Sequence, residues 1–389
     1  MPLPIFALAL ATFAVGTSEF IIAGLLPRVA ADLGVTIPTA GYLISAYAAG
    51  VAVGGPIVAI LTAGFERKAT LLGLMGLFII GSGLCALAPS YGWLIGARIV
   101  IAITHGGLIG FASVAAAEMV DEQRRGRAIA IVLAGITSSN VFGIPIGTAI
   151  GGAFGWRVAF WAIVALGVVS LAGIAALVPR MATDADRGPN ITAEIRALGR
   201  PAVYTSLAIV VLAATAYFGV FAFIAPLLLE AAHVPNDWLP IVLAVVGVAS
   251  VAGILIGGRL ADWRLLPSVF GITVVQLAIN ALLPFVVGGP IVATVALFVW
   301  TIAGVPLIAT PLQTRILNAA RDAPNLASTL ISSAFNVGIA IGAAAGATAL
   351  EHGSGYAGLP WLALCMLVPA ALLAFAELGR ERRTRLAAA

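Results

Sequence analysis

Three ionisable side chains lie well inside apolar stretches of this 389-residue chain, and all three belong to its first half. Glu19 lies within residues 3–26, a run with no other charge, and Arg98 and His105 share a second apolar run. Because an ionised group in a bilayer costs roughly 2.5 to 3.5 kcal/mol on insertion scales, such residues are functional candidates. A carboxylate in this position can carry a proton or bind a substrate.

The spacing of these residues predicts that Glu19 and Arg98 lie at a similar depth in neighbouring helices of opposite direction. An ion pair between them explains how either charge is tolerated, since an unpaired buried charge is strongly destabilising. His105 follows Arg98 by seven residues, about two helical turns, so it shares that face about 10 Å nearer the cytoplasm. We predict that Glu19 carries the proton, that Arg98 is its partner, and that His105 is a relay or ligand.

Each of the three residues also has a purely structural interpretation. The Glu19–Arg98 pair can simply hold two helices together, as apolar packing also does. Arg98 can extend its charge to the outer interface, and His105 can be a core residue bonded to a carbonyl. The residue types alone leave these alternatives open.

Composition identifies the class of protein that positions these groups. Hydrophobic residues make up 61% of the chain, charged residues 9%, and the mean hydropathy is +1.12. No soluble domain of ordinary composition approaches these values. Residues 3–26 lack a basic beginning and contain Glu19, so we expect a retained span and not a cleaved signal peptide.

Several other classes of protein and site are excluded. The net charge of +4 is spread over short segments between apolar runs, which argues against nucleic-acid binding. Cys85 and Cys365 lie in separate apolar runs, so neither a disulfide framework nor a thiolate metal site is indicated. We predict no metal, no cofactor and no catalytic residue.

Twelve apolar runs have about the length that spans a bilayer. They cover residues 3–26, 39–62, 69–89, 91–117, 126–151, 157–178, 203–229, 238–261, 265–287, 290–314, 325–350 and 357–378. We predict an all-α integral membrane fold of two six-helix bundles. Residues 1–178 form the first bundle, residues 179–200 a cytoplasmic linker, and residues 201–389 the second bundle with a short basic tail.

Basic residues fix the predicted orientation, because Lys and Arg are enriched in cytoplasmic loops. A cytoplasmic N-terminus places only Arg28 and Arg157 on the outer side. The cytoplasmic side then holds Arg67, Lys68, Arg124, Arg125, Arg127, Arg180 to Arg200, Arg259, Arg264, Arg315, Arg321 and Arg380 to Arg385. Both termini are therefore predicted to be cytoplasmic.

The two halves repeat a glycine pattern. Gly143, Gly147 and Gly151 in the fifth span recur 195 positions later in the eleventh span, as Gly338, Gly342 and Gly346. Six spans per half relate the halves by an axis along the membrane normal, the arrangement of transporters whose halves rock about a central site. Glycines four residues apart favour close helix packing, and Pro145 among them is expected to bend its helix.

Other polar and aromatic residues are candidates for contact with a substrate. The predicted set is Ser139, Asn140, Tyr217, Gln313, Phe335 and Asn336. The two asparagines can equally bind helices together through hydrogen bonds. At the cytoplasmic helix ends, Glu118, Arg125, Arg259 and Asp262 are either conformational latches or solvated orientation charges.

These residues together resemble the major facilitator superfamily, in its twelve-span drug:proton antiporter branch of arabinose-exporter and chloramphenicol-resistance type. The matching stretches are residues 16–20, Arg98 with His105 and Gly106, residues 125–128, 143–148, 155–157, 311–315 and 334–338. The resemblance implies that Arg98 takes part in proton coupling, that Gly143 to Gly147 form the antiporter motif, and that Arg259 and Asp262 form a loop motif. The first-half loop departs from the pattern, because Ala63 stands where an aspartate is usual.

The predicted function is proton-coupled export of small organic molecules such as drugs by alternating access, in a bacterial inner membrane. The expected partners are a small-molecule substrate, protons and the lipid bilayer, and we expect the chain to act as a monomer. One alternative is a sugar or nucleoside exporter, with Asn140, Asn336, Gln313, Ser332 and Ser333 binding hydroxyls. A remote alternative is an intramembrane serine hydrolase that uses Ser82 with His105, which requires close contact between the two side chains.

Overall fold

The computed structural model describes residues 1–62, 64–181, 200–320 and 324–388. These residues contain twelve helical segments long and apolar enough to cross a membrane, and the same residues form no β-strand. The predicted all-α membrane class is confirmed.

Six helical spans make up the first half of the chain. They are α1 (Leu3–Asp32), α2 (Ile37–Thr62), α3 (Arg67–Ala86), α4 (Tyr91–Glu118), α5 (Arg125–Ser138, Ser139–Gly143 and Ile144–Phe154) and α6 (Trp156–Leu177). The middle segment of α5 is a single π-helical stretch, and a 3₁₀ turn at Glu122–Arg124 precedes the helix. Gly155, with φ of 95°, separates α5 from α6 in a conformation that glycine adopts without strain.

Six further spans make up the second half. They are α7 (Pro201–Phe221), α8 (Leu239–Trp263), α9 (Leu265–Val286), α10 (Pro290–Ala303 and Val305–Ala319), α11 (Pro324–Glu351) and α12 (Leu359–Ala388). Short turns at Asn236–Trp238 and Tyr356–Gly358 precede α8 and α12. The basic tail predicted after the last span is helical to Ala388.

The structure shortens one predicted span and places internal breaks in two others, and a proline lies next to each of these features. The seventh span ends at Phe221 and is followed by a helical turn, Ile224–Pro226, and a π turn, Leu227–Ala231, because Pro226 cannot donate a backbone hydrogen bond. The tenth span is interrupted at Gly304, next to Pro306 in the first turn of the following segment. The fifth contains its π turn just before Pro145.

The chain divides into two compact units. The first comprises Met1–Gly188 with Asn236–Gly247, and the second comprises Pro189–Pro235 with Val248–Ala389. Residues 182–199 of the predicted linker lie outside the described residues. The predicted division at residues 179–200 stays a prediction.

The same helix pairings occur within each unit. In the first unit α1 packs against α5 and α6, and α3 packs against α4 and α6. In the second unit α7 packs against α11 and α12, and α9 packs against α10 and α12. The central helices α1 and α7 have the largest buried shares of the twelve spans. Most side chains in the middle of α1, residues 14–26, are therefore surrounded by protein.

The glycine stripe on α5 faces α1. A Cβ atom added to Gly143, Gly147 or Gly151 would overlap the side chain of Thr17, Ile21 or Leu25, respectively. One added to Gly135 would meet the carbonyl oxygen of Ala9. The absence of side chains at these positions lets α5 lie directly against α1.

The matching stripe on α11 faces α7, and there the nearest atoms of α7 belong mainly to its backbone. A Cβ atom on Gly342 would lie 2.5 Å from the backbone oxygen of Thr215, and one on Gly346 would lie 2.6 Å from the backbone oxygen of Gly219. A Cβ atom on Gly338 would lie 2.5 Å from the Ala214 Cβ. Here backbone contacts backbone, so neither helix can yield by rotating a side chain.

Candidate functional site

The buried carboxylate of Glu19 lies beside His105. Glu19 on α1 is 7% exposed, and its Oε2 atom is 3.8 Å from Nε2 of His105 on α4, which is 6% exposed. The other ring nitrogen, Nδ1, is 2.9 Å from the hydroxyl oxygen of Tyr47 on α2. Three helices of the first unit therefore bring Glu19, His105 and Tyr47 into one polar chain.

Arg98 contacts α1 in a different way from the predicted ion pair. Its Nη1 atom donates to the backbone oxygen of Ser18 at 2.5 Å, and its Nη2 atom donates to the backbone oxygen of Glu19 at 3.0 Å. The guanidinium also lies over the Tyr47 ring, 4.2 Å from the ring centre. Arg98 is fully buried. It therefore anchors α1 through backbone oxygens, and not through the Glu19 carboxylate.

The directions of side chains and carbonyl groups explain this correction. Side chains on a helix lean toward its N-terminus, whereas carbonyl oxygens point toward its C-terminus. Because α1 and α4 run in opposite directions, the Glu19 carboxylate leans toward the level of His105. Arg98 leans toward the other end of α1, where the carbonyl oxygens point. The sequence-based prediction used only the depth of the Cα atoms in the membrane, which favoured Arg98 as the ionic partner of Glu19.

Tyr47 was absent from the predicted site. It is 1% exposed and contacts both Arg98 and His105. A tyrosine in an apolar run usually packs in the core or at the membrane interface, so its type gave no signal. The position of Tyr47 near the middle of a span could have indicated a polar neighbour, because a hydroxyl group buried there requires a hydrogen-bond partner.

The hydrolase alternative has no geometric support. The Ser82 hydroxyl is buried and has no hydrogen-bond partner among the described residues. His105 is instead engaged by Tyr47 at one nitrogen and faces Glu19 at the other. A serine and a histidine that act together need a direct hydrogen bond.

A cavity of about 250 Å³ lies within the second unit, and two predicted substrate residues line it. Gln313 on α10 and Phe335 on α11 face the cavity, together with Ser328 and Ser332. The remaining lining is aliphatic: Val210, Ala213, Val305, Ile308, Ala309, Leu312 and Ile331. Among the described residues, no charged side chain lines this cavity, so it suits a neutral ligand that is largely apolar.

Two other predicted substrate residues in the second unit are outside that cavity lining. Tyr217 is 7% exposed and stacks on Trp300, with ring centres 4.4 Å apart. Asn336 is 5% exposed and donates to the Ser332 oxygen one turn earlier, while its own Oδ1 atom has no partner among the described residues. Tyr217 therefore packs against Trp300, and its predicted contact with a substrate stays a prediction.

The remaining predicted residues of the first unit lie at the π turn of α5. Ser139 is fully buried and donates to the Ile136 oxygen at 2.7 Å, and Asn140 is half-buried in the same turn. Gly143 and Gly147 contact α1, while Pro145 is buried in the first turn of the next helical segment. The predicted bend at Pro145 therefore corresponds to a change of helix type one turn earlier.

The charges at the helix ends behave differently in the two halves. Glu118 forms an ion pair with Arg67 within the first unit, and Arg125 is exposed. Arg259 and Asp262 are exposed, and neither forms an ion pair with another described residue. Ala63, the departure in the first-half loop, lies outside the described residues. The predicted latch roles stay predictions.

The sequence matches the family model of the Major Facilitator Superfamily over residues 8–343. The chain belongs to this superfamily. It is a membrane transporter of small molecules, and the superfamily and its structural neighbours are transporters and not enzymes. The resemblance inferred from the motifs is confirmed at the level of the family.

Curated relatives match this transporter over nearly their whole length. It is 36% identical to "Inner membrane transport protein YdhP" of Escherichia coli (strain K12), covering 98% of this chain and 97% of the relative. It is 35% identical to "Chloramphenicol resistance protein" of Streptomyces lividans, covering 96% of each. It is 30% identical to "Putative transporter AraJ" of Escherichia coli (strain K12), covering 98% and 96%.

Solved structures share the fold. The crystal structure of a bacterial homologue of the human lysosomal transporter Spinster, in an inward-facing and unoccupied conformation, matches with a TM-score of 0.78. The two proteins are 17% identical, and the match covers 96% of each chain. At this identity the likeness supports the fold alone.

Proposed function

We propose that this transporter exports small, uncharged organic molecules in exchange for protons, by alternating access. In this proposal the protein acts as a monomer in a bacterial inner membrane with both termini in the cytoplasm. The observation that carries the proposal is the Glu19 carboxylate, buried in α1 with the imidazole ring of His105 beside it. A buried carboxylate without a cationic side chain bonded to it is suited to gaining and losing a proton.

A single carboxylate is energetically sufficient for uphill export. Moving one proton inward for each neutral molecule exported supplies about 2.3 kcal/mol per 100 mV of membrane potential. This energy sustains a roughly fifty-fold concentration ratio. A pH gradient adds to it, so no second proton carrier is required.

The cavity of the second unit supports an uncharged, mainly apolar substrate. Its volume of about 250 Å³ is slightly below the usual range of about 300 to 1,000 Å³ for ligand pockets, so it suits a small ligand. A charged substrate would have no ionic partner among the lining residues that the structure describes. The similarity to a chloramphenicol resistance protein supports export of a molecule of drug size.

A second candidate function is export of a sugar or nucleoside. It is favoured by the cluster of Gln313, Ser328 and Ser332 in the cavity lining, which offers an amide and two hydroxyl groups to a hydroxylated ligand. Seven aliphatic lining residues favour the first candidate. Both candidates share the same proton-coupling site.

The experiment that tests the proposal uses purified transporter in liposomes with an acidic interior. Transporter molecules whose cytoplasmic face lies on the outside of the liposome should move substrate into the liposome as protons leave it. We expect accumulation of chloramphenicol, and none of a pentose or a nucleoside, with loss of accumulation when an ionophore collapses the gradient. Transport that is insensitive to the ionophore would contradict proton coupling. Accumulation of the pentose or nucleoside alone would favour the second candidate.

Substitutions in the cavity are expected to separate the two substrate classes. Phe335→Ala removes an apolar wall, so we expect about 5- to 30-fold weaker apparent affinity for chloramphenicol. Gln313→Leu removes one hydrogen-bonding group, so affinity for an apolar drug should change less than about threefold, whereas a hydroxylated substrate should lose about tenfold. Binding is measured by ligand-dependent thermal shift on both variants. The control is Trp361→Leu, at an exposed residue that is not among those lining the cavity. Equal effects of the two cavity variants would contradict this assignment.

A further inference from the structure

Tyr47 occupies the centre of the buried polar chain in the first unit. Its hydroxyl oxygen is 2.9 Å from His105 Nδ1, and the two rings meet edge to face with centres 5.8 Å apart. The guanidinium of Arg98 covers its ring at 4.2 Å. Tyr47 therefore has little freedom to move away from His105.

The hydrogen bond between Tyr47 and His105 has a preferred direction. A neutral imidazole has one N–H group and one bare nitrogen, and the partner of one nitrogen decides which form is present. The structure describes no other hydrogen bond of the Tyr47 hydroxyl. Its proton therefore has one acceptor, Nδ1 of His105. The proton of the imidazole is then on Nε2, the nitrogen that faces Glu19 at 3.8 Å.

The surrounding charges favour a neutral His105. Arg98, on the same helix, already places one positive charge in this buried region, and a second one on His105 would be repelled. The groups that face His105 are Glu19 from α1 and Tyr47 from α2, while Cys85 from α3 lies in the same buried region. Helix α5 carries its charged residues at its beginning, away from this level.

We propose that Tyr47 is a positioning residue that holds His105 as the neutral form protonated at Nε2, so that Glu19 alone carries the transported proton. In this arrangement Tyr47 donates its hydroxyl proton to Nδ1, and the Nε2–H group of His105 points at the Glu19 carboxylate. This N–H group stabilises the ionised form of the Glu19 carboxylate. His105 is a fixed donor and not a relay. The inference rests on the proposed proton coupling at Glu19.

The direct test is ¹⁵N NMR of the histidine ring. The chain has three histidines, so His233→Gln and His352→Gln together leave His105 as the single labelled ring. In full-length protein we expect one neutral tautomer, protonated at Nε2, across pH 5 to 8. In Tyr47→Phe we expect both tautomers. An Nδ1–H tautomer or an imidazolium in the parent protein, or an unchanged spectrum in Tyr47→Phe, would overturn the inference.

Transport assays give a second, independent readout. Tyr47→Phe is expected to shift the pH midpoint of transport upward by up to about one unit, because the ionised carboxylate loses an oriented donor. His105→Gln keeps an amide donor near the position of Nε2 but cannot carry a proton, so the rate of accumulation should fall while its dependence on the proton gradient persists. Complete loss of coupling in a folded His105→Gln protein would show that His105 carries the proton.

The outcomes distinguish this inference from the proposed function. If Glu19→Gln retains uphill transport, proton coupling at Glu19 fails whatever the histidine spectrum shows. If Glu19→Gln loses uphill transport and Tyr47→Phe leaves both the spectrum and the pH profile unchanged, only the role of Tyr47 fails. If Tyr47→Phe does not fold, the tautomer measured in the parent protein still decides the question.

Discussion

Glu19→Gln is expected to abolish proton-driven accumulation while leaving substrate binding measurable. The amide has nearly the shape of the carboxylate, so the packing of α1 is preserved, but it cannot gain or lose a proton. The accumulation ratio, about fifty-fold per 100 mV for one proton, should fall to about one. Downhill exchange of labelled for unlabelled substrate should continue, because exchange requires no proton. Both quantities are measured in the same liposomes.

A matched control for this variant is Glu351→Gln. Glu351 ends α11 and is exposed, so the same chemical change there should leave accumulation intact. Binding of substrate to both variants, followed by thermal shift, should agree with the parent protein within about threefold. Unimpaired uphill transport by folded Glu19→Gln would contradict the proposed function. Loss of both accumulation and exchange would indicate that Glu19 binds substrate and does not carry a proton.

Gly342→Ala is expected to destabilise the transporter more than Gly147→Ala, although the two glycines occupy equivalent places in the repeat. At Gly342 the added methyl group would lie 2.5 Å from the backbone oxygen of Thr215, so α7 and α11 would have to separate. At Gly147 the added group meets the end of the Ile21 side chain, which can rotate. Overpacking typically costs about 1 to 3 kcal/mol, and Gly342→Ala should reach the upper part of this range.

Thermal unfolding in detergent and the fraction of monodisperse protein measure this difference. Gly271→Ala is the control, because Gly271 is an interior position of α9 with no atom within 4 Å of an added Cβ. Alanine there should be neutral or stabilising by up to about 1 kcal/mol, since it favours the helix. If Gly342→Ala unfolds at the same temperature as Gly271→Ala, the close contact between α7 and α11 does not constrain the fold.

Much of the fold could be predicted from the sequence because the lipid bilayer restricts which backbone structures can cross it. Backbone polar groups must be satisfied within a membrane, so each apolar run of sufficient length is a helix. The internal changes of helix type were harder to predict. Pro145 was expected to bend its helix, whereas Pro226 and Pro306 lay within runs that were predicted as continuous. Proline permits a kink, a π turn or an interruption, and packing with neighbouring helices decides which occurs.

The candidate site was predictable in its charged members and not in its contacts. Glu19, Arg98 and His105 were conspicuous because charge is rare in apolar runs. Which of them meet depends on the direction of each side chain, and this favoured His105 over Arg98 as the neighbour of the Glu19 carboxylate. Tyr47 contributes to the site through one hydroxyl group and one ring face, features that its residue type shares with ordinary core tyrosines.

The π turn in α5 affects the direction, around the helix axis, in which successive glycines of the stripe face. In a regular α-helix, residues spaced four apart advance by roughly 40° around the axis at each step, so a long stripe winds away from a straight neighbour. A π turn rotates less per residue and cancels part of this advance. Gly135 before the turn and Gly151 after it therefore both face α1. The π turn thus offsets the rotation of the stripe, so that glycines spaced four residues apart stay in contact with α1 along the length of the helix.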